Sequence, residues 1–252
     1  AGATHIGLVH YEPSPRHVSL EDAAKLRKRV PDGRKVVLLT VKMQPAELET
    51  AYRAVMPDAI QFHGGETVEW MKMVRDILKV ETWRAIGLRE EKTLENARRF
   101  VGNVDRVVFD APAKALPGGN GETFRWDILD GYEHPMDWAL AGGLTADNVA
   151  EAIARTAAPL VDTSSGVESA PGVKDPQRIA DFCRAALAAF RPGLAVGPKA
   201  SRWAPRSSSS LPGEPSGDPP GCPSSLAPTA PPSITVTRAT GSSSRIAAAS
   251  AG

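Results

Sequence analysis

The sequence predicts an α/β fold, a (β/α)8-type barrel of parallel strands over residues 1–191, followed by a disordered tail over residues 192–252. Seven apolar stretches alternate with helical segments along the first part, which is typical of parallel strands joined by right-handed crossovers. That many units favours a closed barrel over an open doubly wound sheet, and no dinucleotide-binding glycine fingerprint follows the first strand. From residue 192 onward, Ser, Pro, Gly and Ala dominate, and too few large apolar side chains remain to offset the entropy of ordering.

The composition describes a globular body without a strong charge bias. The chain has 252 residues, 42% of them hydrophobic, and a formal net charge of +1. One sizeable core is therefore available, and nothing points to nucleic acid or an acidic membrane as a partner. Cys183 and Cys222 form neither a disulfide framework nor a metal-ligand spacing, which is typical of a reducing compartment. Since no apolar run has the length of a membrane span and no signal-peptide pattern opens the chain, we expect a soluble, cytoplasmic protein.

The first two units have clear start signals. Residues 4–11 are rich in residues that strands favour, and Ser19 is placed to cap the helix that follows. Residues 35–41 form a nearly continuous apolar run, which is typical of a strand covered on both faces. Pro45 then begins the next helix at a position where its missing N–H costs nothing.

The same pattern of strands and helices continues to residue 190. Thr145 is the expected cap of one helix, which has Val149, Ile153 and Ala157 on one face. The remaining strands are predicted at residues 59–64, 83–88, 106–111, 136–141 and 160–163, and the other helices at residues 66–79, 93–101 and 176–190.

Seven strands are one fewer than a closed barrel of this class contains. Because the first visible unit begins directly after Ala1-Gly2-Ala3, we expect the missing strand and helix to precede Ala1. Residues 233–237 alternate in the manner of a strand and are a second candidate for the vacant position, as in a circular permutant, although we assign them to the disordered tail. The chain as given is therefore expected to be poorly closed, with two unpaired barrel edges.

Two glycine-containing loops near the end of the barrel predict a phosphate site. Gly142-Gly143 follows one predicted strand, and Ser164-Ser165-Gly166 follows the next. Such loops present backbone N–H groups and small hydroxyls at strand ends, which can hold a phosphate without a lysine. In barrels of this type, the loops after the last two strands most often bind phosphate. The glycines can alternatively serve only to end the strands, but two such loops in succession favour binding.

Short motifs in a consistent order relate this sequence to a known family. They are Gly2-Ala3, Ser14-Pro15-Arg16, Gln61-Phe62-His63-Gly64, Phe109-Asp110, Gly118-Gly119-Asn120-Gly121 with Phe124 and Trp126, Ala141-Gly142-Gly143-Leu144 with Asn148-Val149, and Asp162-Thr163-Ser164-Ser165-Gly166-Val167-Glu168 with Pro171-Gly172-Val173-Lys174-Asp175. Each motif is weak alone, whereas the ordered set is specific. Over residues 1 to about 190, the sequence resembles the phosphoribosylanthranilate isomerases of tryptophan biosynthesis, which are TIM-type barrels.

The resemblance implies an isomerisation that uses no metal or organic cofactor. Members of this family convert N-(5-phosphoribosyl)anthranilate into a carboxyphenylamino-deoxyribulose phosphate by an Amadori rearrangement. One acid must protonate the departing ring oxygen, and one base must remove a proton from the second carbon of the sugar. By motif position, Asp110 is the expected acid, at the end of an apolar strand where low polarity favours the protonated carboxyl. From the residues alone, Asp110 is equally well placed to cap the following loop.

The resemblance also implies the substrate contacts, and the expected partner is a small phosphosugar, with no nucleic acid or membrane. Arg16 is expected to face the anthranilate carboxylate, because a planar guanidinium suits a carboxylate better than lysine does. Its alternative is a solvated loop charge. Asp162 is expected to contact the sugar hydroxyls or to orient the neighbouring loop. The phosphate is assigned to the two glycine loops, at Gly142, Gly143, Ser165 and Gly166.

Two further motifs receive other expected roles. His63, which follows Gln61 at a strand end, is expected to be a structural histidine satisfied by backbone groups. Residues 118–121 lack the lysine and the spacing of a P-loop. We expect them to form a flexible cover over the site.

The sequence departs from the family at the general base. In the family this base is a cysteine in a Lys-x-Cys-Gly stretch at the end of the first barrel strand, and nothing here corresponds to it. Cys183 falls on the buried face of the last helix, and Cys222 lies among prolines and serines. Losing one acid–base partner lowers a rate by a factor on the order of a hundred to ten thousand. We therefore expect the chain as given to lack measurable isomerase activity.

Two alternative functions remain open at the level of sequence. A non-catalytic phosphosugar-binding barrel would keep the phosphate loops and lack the base. An enzyme similar to indole-glycerol phosphate synthase would need catalytic lysines at the ends of early strands, for which Lys42 is the sole weak candidate.

Overall fold

The computed structural model describes residues 1–112, 125–190 and 233–238. Its centre is a closed barrel of eight parallel strands. This is the TIM-type α/β architecture that the sequence predicts. The barrel strands are β1 (His5–Val9), β2 (Lys35–Thr40), β3 (Ala59–Phe62), β4 (Glu81–Gly87), β5 (Arg106–Asp110), β6 (Trp138–Leu140), β7 (Leu160–Thr163) and β10 (Ser233–Arg238). Their order around the barrel is β1-β10-β7-β6-β5-β4-β3-β2.

Helices connect the strands and cover the outside of the barrel. No helix in the described part of the chain is both long and apolar enough to cross a membrane. A two-stranded antiparallel ribbon, β8 (Glu168–Ala170) with β9 (Val173–Lys174), follows β7. The helices are α1 (Leu20–Arg27), α2 (Pro45–Val55), α3 (Val68–Leu78), α4 (Glu91–Ala97), α5 (Val149–Thr156) and α6 (Pro176–Phe190), with short 3-10 turns at Arg98–Phe100, Trp126–Leu129 and Ser165–Val167.

The C-terminal segment Ser233–Arg238 closes the barrel. It pairs in parallel with β7 on one side, where Ile234 lies opposite Val161, and with β1 on the other, where Val236 lies opposite Ile6. Ile234 and Val236 are buried in the main hydrophobic cluster. The expectation of two unpaired barrel edges is therefore wrong, because burial of these alternating side chains holds a strand in the eighth position. The rest of the tail, including Cys222, lies outside the described residues.

Two apolar layers position the functional residues. Helices and strand exteriors form the outer layer, with a main cluster and a smaller one between β1, β2, α1 and α2. A further small cluster fills the barrel interior. The interior cluster takes alternate strand residues, because successive strand side chains point to opposite faces. Its members are Val37, Ala59, Trp83, Ala85, Val108, Ala139, Ala141 and Leu160.

Most start signals of the sequence have the predicted role. The Ser19 hydroxyl accepts a hydrogen bond from Asp22 N at 3.1 Å and caps α1, and Pro45 is the first residue of α2. Thr145 is an exception, because α5 begins only at Val149, after Asn148. The Asn148 side chain is engaged with the preceding loop, where its Oδ1 accepts from Thr145 N at 2.8 Å, so a turn precedes the helix.

Candidate active site

An open cavity lies at the carboxyl ends of the barrel strands and contains about 610 Å³ of space between protein atoms, part of which is open to solvent. The alternation of side chains along each strand explains which of them reach the cavity. Residues two positions beyond an interior core residue keep the inward direction, as Asp110 does after Val108 and Asp162 after Leu160. All of the residues that the sequence assigns to the site line this cavity: Arg16, Asp110, Gly142, Gly143, Asp162, Ser165 and Gly166.

Asp110 is a buried carboxyl at the end of β5, with 7% of its surface exposed. Burial raises the pKa of Asp110 to about 6, and the Ala111 N–H, which donates to Oδ1 at 2.7 Å, opposes this rise. The carboxyl therefore does take a backbone hydrogen bond at the start of the following loop. It also lines the cavity with a pKa suited to an acid near neutral pH.

His63 is a cavity residue that sequence reasoning placed in a structural role. It extends the inward series of Ala59 and Gln61 and lines the cavity, with Nε2 3.5 Å from Asp110 Oδ2. Burial, with a smaller contribution from the Arg84 charge, lowers the pKa of His63 to about 4. The ring is therefore neutral at physiological pH. Alternation along β3 was the sequence signal that could have identified it.

Arg16 reaches the cavity from the loop after β1 and is 8% exposed. Its Nε donates to Glu168 Oε1 at 2.8 Å and its Nη2 donates to Glu168 Oε2 at 2.7 Å. The alternative of a solvated loop charge is therefore wrong. Sequence reasoning assigned no role to Glu168, since its partner lies 152 positions away.

The two glycine loops are packed so closely that side chains are excluded. Gly142 has a φ of +86°, and a Cβ there would overlap the Ala111 backbone nitrogen, whereas a Cβ at Gly166 would overlap the Leu144 carbonyl oxygen. The Thr163 hydroxyl donates to the same Leu144 oxygen at 2.7 Å. These contacts hold the loops after β6 and β7 against each other and against the residue that follows Asp110.

The cysteines do not supply a general base among the described residues. Cys183 is buried on α6, where it packs in the main hydrophobic cluster, and no described cysteine lines the cavity. Within residues 1–112, 125–190 and 233–238, no group of His, Cys, Asp or Glu side chains is arranged to hold a metal ion. The expected cover at residues 118–121 lies outside the described part.

Lys42 does not support the indole-glycerol phosphate synthase alternative. Its side chain is exposed in the loop after β2, with a backbone φ of +50°. It lines a separate surface groove beside His10, Glu12 and Glu47 rather than the cavity that holds Asp110.

Comparison with known proteins agrees with this geometry. The chain is 61% identical over 186 residues to an N-(5'-phosphoribosyl)anthranilate isomerase of Erythrobacter litoralis (strain HTCC2594), a match that covers 74% of this chain and 89% of that protein. It is 45% identical over 186 residues to a protein of the same name from Zymomonas mobilis subsp. pomaceae, covering 73% and 88% of the two chains.

Solved structures with the same barrel include a phosphoribosyl anthranilate isomerase from Thermotoga maritima, with a TM-score of 0.67, 31% identity and coverage of 74% of this chain and 89% of that one. Another, in complex with reduced 1-(o-carboxyphenylamino)-1-deoxyribulose 5-phosphate, has a TM-score of 0.66, 28% identity and the same coverage. The model of the N-(5'-phosphoribosyl)anthranilate (PRA) isomerase family matches residues 1–185. On these matches, the chain belongs to the PRA isomerase family.

Proposed function

We propose that the cavity binds N-(5'-phosphoribosyl)anthranilate and that Asp110 is the acid that opens its ribose ring. The observation that supports this most directly is a buried carboxyl, with a pKa raised to about 6, in the same cavity as two glycine loops and a buried arginine. A raised pKa keeps a useful fraction of the acid protonated near neutral pH, where it can donate a proton.

In this proposal the substrate lies across the cavity with its charged ends held apart. Backbone N–H groups of the loops after β6 and β7 hold the phosphate, and Arg16 faces the anthranilate carboxylate. Asp162, at the inner end of β7, contacts the sugar hydroxyls. The sugar ring is then placed over the centre of the barrel, where Asp110 and the neutral His63 lie. The phosphate contacts are assigned to Gly142, Gly143, Ser165 and Gly166.

The proposed reaction has two proton transfers. Asp110 donates its proton to the ring oxygen while the bond between that oxygen and the anomeric carbon breaks, and the anthranilate nitrogen supplies the electrons that form the iminium. A base then removes the proton from the second sugar carbon, and the resulting enolamine tautomerises to the ketone. No external oxidant or reductant is required, because the reaction only moves hydrogen within the substrate.

The second step is where we expect this chain to be weak. The family's cysteine belongs to the first barrel strand, and β10, which closes the barrel between β7 and β1, has the sequence Ser-Ile-Thr-Val-Thr-Arg. For residues 1–252 expressed alone, without that thiolate, we propose that the polypeptide binds the substrate but turns it over slowly. A phosphosugar-binding barrel without turnover is the alternative from which the measurements below have to distinguish slow turnover.

Calorimetry and a coupled fluorescence assay separate these possibilities. We expect saturable binding of reduced 1-(o-carboxyphenylamino)-1-deoxyribulose 5-phosphate, and a turnover lower than that of an ordinary enzyme by a factor on the order of a hundred to ten thousand. Asp110→Asn should abolish the residual turnover while the analogue still binds. Turnover at an ordinary rate would show that our account of the base is wrong, and failure to bind the analogue would reject the proposed substrate.

A further inference from the structure

A chain of three buried charges connects Arg16 to the phosphate loop. Glu168 accepts from Arg16 through both carboxylate oxygens, and Lys174 Nζ donates to Glu168 Oε1 at 2.7 Å. The exposed fractions of the three side chains are 10% for Arg16, 4% for Glu168 and 8% for Lys174. One carboxylate therefore bridges two cations away from solvent.

The other end of this chain is attached to Ser164, the residue before the 3-10 turn Ser165–Val167. Lys174 Nζ donates to the Ser164 carbonyl oxygen at 2.6 Å and lies 3.3 Å from the Ser164 hydroxyl. With Glu168 Oε1, these are three acceptors for the three N–H donors of an ammonium group. Lys174 therefore acts on the shape of the turn rather than as a direct phosphate ligand.

Glu168 is itself held through its own backbone N–H and carbonyl groups. Its backbone N–H donates to the Ser165 carbonyl, and its carbonyl accepts from Arg178 Nη1 on α6. The side chain that orients Arg16 thus belongs to a residue whose backbone ends the phosphate-binding turn. A displacement of this turn displaces the carboxylate.

We propose that Glu168 and Lys174 are positioning residues that couple the carboxylate-binding end of the site to its phosphate-binding end. The coupling rests on the proposed function, since it assigns Arg16 to the anthranilate carboxylate and the turn to the phosphate. The two hydrogen bonds to Glu168 fix the plane of the Arg16 guanidinium, at the end of a long side chain that otherwise samples many rotamers. Buried ion pairs contribute little net stability, because desolvation offsets their attraction, which fits a role in orientation.

The coupling has a specific consequence for binding. Phosphate that orders the Ser165–Val167 turn also orders Glu168, and hence Arg16. A ligand with both a phosphate and a carboxylate should therefore gain affinity from the Lys174 contact at both ends, whereas inorganic phosphate should gain it only at the turn. A structural role limited to folding would lower both affinities equally.

The test is a double-mutant cycle on the full chain with two probes, inorganic phosphate and reduced 1-(o-carboxyphenylamino)-1-deoxyribulose 5-phosphate. We expect Glu168→Gln and Lys174→Met each to weaken binding of the analogue by roughly tenfold or more. The double variant should weaken binding of the analogue by less than the product of the two single effects, because both substitutions disrupt the same network of hydrogen bonds. Inorganic phosphate should lose less affinity than the analogue in each variant. Lys174→Arg, which keeps the charge, should recover part of the loss.

A matched control and a local probe remove the effect of general destabilisation. Glu81→Gln breaks the pair with Lys35 at the amino ends of the barrel strands, and its effect should multiply independently with that of Lys174→Met. The Arg16 Nε–H signal in nitrogen-15 NMR should be protected from exchange in the parent chain and lose protection in Glu168→Gln and, through Glu168, in Lys174→Met. Circular dichroism confirms that each variant is folded.

Two outcomes would overturn the inference while the proposed function stands, and a third would reject both. If the parent chain binds the analogue but the two substitutions combine as independent factors, the coupling is absent while the function stands. If both substitutions weaken the two probes equally and leave Arg16 protected, the residues only support folding. If the parent chain does not bind the analogue, the proposed function fails and the coupling fails with it.

Discussion

His63 Nε2 lies 3.5 Å from Asp110 Oδ2, and the side chains are only 12% and 10% exposed. Because burial lowers the pKa of His63 to about 4, the imidazole is neutral at the pH where Asp110 titrates. The contact is therefore not an ion pair, and no positive charge on His63 offsets the desolvation of Asp110. This is the physical reason why the carboxyl keeps a raised pKa despite a histidine next to it.

The raised pKa of Asp110 predicts how stability depends on pH. The folded-state value of about 6 exceeds the ordinary value of 3.8, so the stabilising contribution is present below pH 3.8 and is lost as the pH rises through 6. Asp110→Asn cannot ionise and should gain stability relative to the parent chain over that interval, on the order of 3 kcal/mol. Urea unfolding at closely spaced pH values measures this difference, and a difference that does not change with pH contradicts the prediction.

His5 predicts a pH dependence of the opposite sign at the other end of the barrel. Burial, followed by the charges of Lys35 and Arg106, lowers the pKa of His5 from 6.5 to about 4. The unfolded chain then binds the proton more tightly, and stability falls as the pH drops from 6.5 to 4. His5→Gln should remove the contribution of His5 to this loss of stability, which is on the order of 3 kcal/mol. Parallel stability curves for the parent and the variant would show that His5 is not buried as a neutral ring.

Gly142 and Gly131 form a matched pair for testing the close packing of the phosphate loops. Both have a positive φ, +86° and +72°, but a Cβ at Gly131 meets nothing within 4 Å, whereas one at Gly142 overlaps the Ala111 nitrogen. Gly131→Ala should destabilise by about 1 kcal/mol through backbone strain alone. Gly142→Ala should lower the free energy of unfolding by more than Gly131→Ala does. It should also weaken inorganic phosphate binding by roughly tenfold or more. Denaturant unfolding and calorimetry compare them, and equal effects would mean that the loop tolerates a side chain.

The closing strand predicts a large effect for a residue in the C-terminal segment. Ile234 is fully buried, and Ile77, on the exterior face of α3, is 69% exposed. Ile234→Ala should destabilise the chain by about 2–5 kcal/mol, as expected for a buried aliphatic side chain. Ile77→Ala should change stability by less than about 0.5 kcal/mol. If urea unfolding shows the same small change for both, β10 does not contribute to the core in solution.

Local sequence patterns determined most of the fold and which residues line the cavity. Apolar runs and helix start signals such as Ser19 and Pro45 depend on neighbours within a few positions, so the elements could be read directly. The residues at the strand ends, Asp110 and Asp162 among them, follow from the rule that the carboxyl ends of parallel barrel strands meet at one face. Together with the motif order, that rule was enough to predict that these residues lie close together at one end of the barrel.

Only the tertiary structure decided which distant groups became partners. Residues 233–237 alternate in the manner of a strand, but their composition favoured the disordered tail. Whether Ser233–Arg238 becomes the eighth strand depends on β1 and β7, which are distant from it in sequence. Arg16 meets Glu168, and His63 meets Asp110, across separations in sequence that leave no periodic signal. Burial and contacts between such groups depend on their distance in space. That distance is set only when the barrel closes, so a local sequence pattern does not contain it.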